Sequence, residues 1–373
     1  MNIAGARNYV GHGSCAQKSI WHCIMMLSEF EAVPIKNTNF NEKDIIEGEK
    51  DFYDFMNNLY HFMYKNPEKY AIPTAPYDEY IKSEKFNKPV VKAHQNDGVE
   101  CKLRNTFQQA IEFYPKYFYQ LGFAAEGICR DTFSLIVNKA MYNNALGSLD
   151  NTYIYKENGQ RIKALADMGI KVEEINDTCH ISCKTAPKMF LGLWVLCSAP
   201  ESKYKYMNYL RLDFKGYLRS MPEIEDVKFT MLKEHAECVD LILSLFANLN
   251  LKYKVKPLRS ITTAHGWKVE YTLAGKNIFG FFAEPDYLAL YIYFNDAKNI
   301  TEMSRRLENN TELFQWFCDA FPERLCKCKS NRAVMFGNEK RRICGLSNRA
   351  EIVNPTADDA AKGIEIIKMF RGL

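Results

Sequence analysis

The chain of 373 residues is 47% hydrophobic and 25% charged, with a formal net charge of +4. This is an ordinary globular composition, and it excludes collagen-like, disordered and membrane-embedded classes. The length predicts two or three domains.

The first region reads as helical. Ser14 is a good N-cap, and Ile20, Trp21, Ile24, Met25 and Leu27 follow at helical spacing over residues 16–27. A second helix is predicted over 41–65, with Phe52, Phe55, Met56, Leu59, Phe62 and Met63 on one stripe and Asn66-Pro67 ending it. Residues 72–76 read as an extended connector. Two more helices are expected, over 103–121, kinked or divided at Pro115, and over 127–145. A short helix over 161–168 stops at Gly169. Strands are expected over 171–175 and 179–183. The apolar run 188–196 fits helix or strand, and residues 204–218 read as helix up to a break at Met221-Pro222.

The last region starts with a helix over 231–248 and continues as an antiparallel meander. Residues 267–273 alternate, and 274–277 form a turn. Residues 278–283 and 288–294 are apolar on both faces, which predicts strands covered on both sides, with 278–283 central. A helix over 300–317, a hairpin over 325–344 and a last helix opening at Thr356 complete the chain. A faint repetition of helix, strand pair and aromatic helix occurs around 161–222 and 235–322, without residue-level identity.

The 12 cysteines are too sparse for a disulfide scaffold. The opening MNIAGARNYVGHGSC has no basic-then-apolar signal region, and no run of about 18 apolar residues occurs. The expectation is a cytoplasmic protein with mostly buried thiols and no membrane partner. Charge is uneven. Residues 1–225 carry 27 basic and 27 acidic side chains, and 226–373 carry 22 and 18. Arg324, Lys327, Lys329, Arg332, Lys340, Arg341, Arg342 and Arg349 face a single acid, Glu339, within 26 residues. Such density can hold phosphates or a nucleic acid, although a solvated hairpin face is the preferred reading.

In the middle of the chain, Pro187-Lys188-Met189-Phe190 with Tyr209 and Asp213-Phe214-Lys215 resembles a pattern of bacterial proteins of unknown function. The resemblance covers a small share of the chain and implies no activity.

Few constellations carry chemistry. Gly11-His12-Gly13-Ser14 before Lys18-Ser19 lacks the Gly-Lys step of a phosphate loop, so it reads as a helix cap. Cys179 and Cys183 would share a strand face with His180 turned away, a poor zinc knuckle. Cys326, Cys328, Cys344 and Cys318 could meet, but C-x-C chelates a tetrahedral ion badly. Cys344 beside Arg341-Arg342 could be activated. These readings predict no metal and no cofactor. For a ligand site the candidates are Tyr291, Tyr293, Phe279 and Phe281, sharing one sheet face, with His265 in the preceding turn.

The sequence therefore predicts an α+β protein: a mainly helical region 1–150, a small α+β region 151–225 that could belong to it, and an α+β domain 226–373 with an antiparallel sheet. The expected function is a non-catalytic module binding a small molecule or a protein partner. Phosphate or nucleic-acid binding through Arg324, Lys327, Lys329, Arg332, Lys340, Arg341 and Arg342 ranks second, and an enzyme of unrecognised type third.

Overall fold

The computed structural model describes residues 14–33, 39–72, 74, 99–149, 157–199, 205–218, 221–249, 251–257, 266–294, 296–321, 332–343 and 348–372. The fold is α+β. The described residues fall into two compact units, which change over between Pro222 and Glu223.

The first unit is built on helices. Helix α1 (Cys15–Met26) is capped by Ser14, whose hydroxyl accepts from the Gln17 N–H. Helix α2 (Glu42–Lys65) is capped by Asn41 and stops at Asn66-Pro67, where the ring has no N–H to continue the ladder. A short 3-10 turn, Pro67–Tyr70, follows. Helix α3 (Val99–Ala124) runs through Pro115 undivided. The Pro115 carbonyl accepts from the buried Tyr209 hydroxyl, one of the tertiary contacts that hold this stretch in place.

The expected helix over 127–145 is not one element. It is strand β1 (Ala125–Ile128), strand β2 (Leu135–Asn138) and helix α4 (Lys139–Leu149). Ile136 and Val137 are β-branched, and β2 pairs with a strand distant in sequence, which outweighs local helical spacing. Helix α5 (Asn158–Asp167) ends at Gly169, whose φ of +102° needs a glycine. Strands β3 (Ile170–Ile175) and β4 (Thr178–Cys183) complete an antiparallel sheet in the order β1-β2-β4-β3. Cys179, Ile181 and Cys183 face the core with Leu135 and Val137, and His180 points the other way.

The ambiguous run 188–196 is helix α6 (Met189–Cys197), buried nearly all round. It crosses α2 where Gly48 meets Gly192: a Cβ on Gly192 would lie 2.2 Å from the Gly48 carbonyl oxygen. The expected long helix over 204–218 is short helix α7 (Lys205–Leu210) and a 3-10 turn, Phe214–Tyr217, divided by Leu212 at a φ of +51°. Phe52 and Phe55 pack edge-on against Phe118 at the centre of this core.

The second unit holds helices α8 (Ile224–Phe229) and α9 (Lys233–Phe246) and a five-stranded sheet. Its strands are β5 (Lys252–Pro257), β6 (Trp267–Leu273), β7 (Lys276–Glu284) and β8 (Tyr287–Tyr293). Helices α10 (Ala297–Leu307) and α11 (Thr311–Asp319) replace the single helix expected over 300–317. Asn310 starts the second of them by accepting from the Leu313 N–H. Strands β9 (Arg332–Phe336) and β10 (Glu339–Ile343) form a separate hairpin, β11 (Arg349–Val353) joins the sheet, and α12 (Ala357–Arg371) ends the chain. The order β11-β8-β7-β6-β5 places β7 in the middle, as its two-sided apolar pattern requires. Phe246 of α9 stacks on Phe279 at 3.9 Å, and Gly363 of α12 lies against Ile292, so helices cover that face.

Candidate functional site

A concave feature lies in the first unit, a half-open cleft of about 600 Å³. That volume falls within the range of small-molecule pockets. One face of α2 forms its floor: Asp51, Asp54, Phe55, Asn58 and Phe62 recur at helical spacing. The end of α2 and the 3-10 turn contribute Asn66, Lys69 and Tyr70. The end of α5 contributes Asp167 and Met168, and the turn after β4 contributes Thr185 and Ala186.

These walls are tied together. The Arg161 guanidinium donates to the Ala71 carbonyl at 3.2 Å, and Gln160 donates to the Glu68 carbonyl at 2.9 Å, fixing α5 to the 3-10 turn. Thr185 donates to the Met168 carbonyl at 2.7 Å, while the Lys184 N–H donates to the Gly169 carbonyl at 2.8 Å. The Tyr114 hydroxyl donates to the Tyr70 carbonyl at 2.8 Å. A site on such held elements keeps its geometry when empty, which lowers the ordering cost of binding.

The electrostatics are uneven. Asp51 accepts the Lys188 N–H at 2.9 Å, yet burial, aided by the nearby charges of Asp54 and Glu47, raises its pKa. The Lys188 ammonium itself is held by Asp44 and Glu47. Lys50 pairs with Asp54, and Lys69 lies 4.0 Å from Asp167. Burial, with help from Asp167, pushes the Tyr70 hydroxyl up to about 12. Tyr70 is 2% exposed, and its hydroxyl makes no hydrogen bond among the described residues. Phe62 is 44% exposed, a large apolar surface left open at the cleft.

The sequence-expected residues are placed differently. Phe279 and Phe281 do not share a face with Tyr291 and Tyr293. Phe279 pairs with Ile292 and Gly280 with Tyr291, so the two tyrosines lie on the opposite face. The reason is the loop: Glu284 pairs with Tyr287, so only Pro285-Asp286 lie between the strands, and odd positions of one strand oppose even positions of the other. On that second face the Arg349 guanidinium sits 3.7 Å from the Tyr291 ring centroid, and Tyr291 is buried. The Tyr287 hydroxyl donates to Glu351 at 3.4 Å. His265 lies outside the described residues.

The basic segment is only partly described, because Arg324, Lys327 and Lys329 lie outside. Arg332, Lys340 and Arg342 are exposed on the β9–β10 hairpin. By the hairpin register Arg341 lies on the face opposite Lys340 and Arg342: it pairs with Glu339 and donates to the Cys318 carbonyl at 2.9 Å. Arg349 belongs to the main sheet rather than to the hairpin. Cys326, Cys328 and Cys344 also lie outside the described residues, and Cys318 is buried.

Sequence reasoning missed the cleft. Phe62 was expected to lie on the core stripe of α2. Asp51, Asp54 and Asn58 carry no site signal in the sequence, because polar residues on a helix are ordinarily solvated. The available signal was the alternation of acids and aromatics along one helical face. Family models, curated proteins and solved structures were compared with the chain, and none matches.

Proposed function

We propose that this chain is a small-molecule-binding protein and that its ligand occupies the cleft between α2, the 3-10 turn Pro67–Tyr70, the end of α5 and the turn after β4. The carrying observation is the cleft itself: a concavity of about 600 Å³ lined by Phe62, 44% exposed, and by Tyr70, whose hydroxyl has no hydrogen-bond partner among the described residues. Its walls belong to regular elements and are cross-linked by hydrogen bonds, the arrangement that supports a pre-formed site.

The reading keeps the expectation of a binding module but moves the site from the sheet of the second unit to the helices of the first. On the sheet, protein groups already occupy the aromatic faces, with Arg349 over Tyr291 and Phe246 over Phe279. In the cleft, the aromatic surface of Phe62 is open.

Asn58 is exposed on the same helix face, so Asn58→Trp would obstruct the cleft without disturbing the core. Screening a library of small metabolites by thermal shift should find compounds that raise the melting temperature of the wild type, because a ligand binding only the folded state stabilises it. The same compounds should give no shift with Asn58→Trp. Equal shifts in both proteins, or none in either, would sink the assignment.

A further inference from the structure

Resting on the cleft as the ligand site, we infer that its ligand is an organic cation, an ammonium or guanidinium group carried on an apolar body. Four observations converge on that class. The charged lining residues are Asp51, Asp54 and Asp167 against Lys69 alone. Lys69 is drawn toward Asp167, and Lys50, outside the lining, is taken by Asp54. Asp51 is left with a main-chain N–H and no ion pair among the described residues. A cation entering here meets a carboxylate that the protein has partly desolvated and that has no ion pair among the described residues.

The backbone adds to this field. Helices α2 and α5 both end at the cleft, where Asn66, Asp167 and Met168 line it. The C-terminal end of a helix carries partial negative charge from its unpaired carbonyls. Two such ends beside three aspartates disfavour an anion and favour a cation.

The third observation is Tyr70. Its side chain is almost wholly buried, its hydroxyl has no hydrogen-bond partner among the described residues, and that hydroxyl lies within electrostatic reach of Asp167. An ammonium or guanidinium carries several donors and no acceptor, so it can satisfy a carboxylate and a phenol oxygen together. The fourth is aromatic surface: the half-open Phe62 lines the same cleft. Ring faces attract cations and bury the apolar body that carries them. A bare metal ion would use the carboxylates and leave this surface idle.

The test is calorimetric titration of the full chain with three matched probes: phenethylammonium, phenethyl alcohol and phenylacetate. Phenethylammonium should bind at least ten times more tightly than the alcohol, and phenylacetate more weakly than either. Asp51→Asn should weaken the ammonium about tenfold and leave the alcohol unchanged. The Asn side-chain oxygen can still accept the Lys188 N–H, so an unaltered melting temperature would confirm that this variant folds. Tyr70→Phe should weaken phenethylammonium more than phenethyl alcohol. If the ammonium binds no better than the alcohol, or Asp51→Asn leaves its affinity unchanged, the cation assignment falls. In that event, a neutral or anionic compound still excluded by Asn58→Trp would leave the cleft standing as a binding site. No ligand sensitive to Asn58→Trp would remove both readings.

Discussion

Cys129 follows the last residue of β1 and heads a tight turn. Its N–H donates to the Ser134 carbonyl at 2.9 Å, and its carbonyl accepts from the Phe133 N–H at 2.8 Å. The Thr132 hydroxyl, with the N–H groups of Thr132 and Asp131, holds the sulfur and lowers the thiol pKa. Elsewhere the environment does the opposite: burial pushes Cys197 up to about 12 and raises Cys179, Cys238 and Cys318. Thiolate is the reactive form, so exposure and pKa both favour Cys129. Brief alkylation with iodoacetamide at neutral pH should therefore label Cys129 well ahead of Cys23, Cys179 and Cys197, as peptide mass spectrometry would read. Thr132→Ala should slow that labelling. Labelling of the buried thiols at an equal rate would contradict the assignment. The sequence offered no hint here, because the turn that aims three donors at the sulfur exists only once β1 and β2 have paired.

At the level of elements, α2 and α6 cross in close backbone contact. Gly192 approaches Gly48 so closely that any side chain collides with backbone, which cannot move aside as the end of a flexible side chain can. Overpacking of this kind usually costs about 1–3 kcal/mol, and a collision with main chain belongs at the upper end. Gly192→Ala should lower the free energy of unfolding by about 3 kcal/mol in urea titration. Gly147→Ala, where an added Cβ meets nothing, should change it by less than about 1 kcal/mol. A Gly192→Ala variant as stable as the wild type would show that the two helices can part. The crossing also matters for the cleft, because α2 supplies Asp51, Asp54, Phe55, Asn58 and Phe62 from the neighbouring turns.

At the scale of the whole molecule, one buried acid sets a pH dependence. Glu49 is 0% exposed, and one of its oxygens accepts the Val33 N–H at 2.8 Å. Its other oxygen has no hydrogen-bond partner among the described residues. Burial pushes its pKa up to about 8, against the opposing pull of the Val33 N–H. The folded chain therefore keeps a proton that the unfolded chain loses between its ordinary value of 4.5 and about 8. Where the folded state binds the extra proton, stability falls as pH rises. Glu49's favourable contribution is complete below about 4.5 and gone above about 8. Glu49→Gln imitates the protonated acid and keeps an acceptor for Val33. It should match the wild type near pH 4.5 and exceed it increasingly up to pH 8. The gain should reach a few kcal/mol, since each pKa unit is worth about 1.4 kcal/mol. Parallel stability curves for the two proteins would refute the buried-acid account.

No described helix is long and apolar enough to cross a membrane, in keeping with the absence of a long apolar run. The sequence by itself determined the elements whose signals are local. The helix α2, with its asparagine cap and its Asn66-Pro67 stop, follows from spacing and from proline chemistry. The final helix follows from Thr356, whose hydroxyl accepts from the Asp359 N–H as its cap pattern predicts. The central place of β7 follows from residues apolar on both faces, and the inward pair Cys179 and Cys183 from the two-residue period of a strand. Tertiary structure decided the rest. It turned residues 125–138 into strands through pairing with β4, carried α3 through Pro115, and set Tyr291 opposite Gly280 rather than beside Phe279. It also brought Asp51, Tyr70, Asp167 and Thr185 around one cleft. Periodicity and capping report on neighbours in the chain. Strand register and the walls of a cleft depend on groups that become neighbours only when distant segments pack.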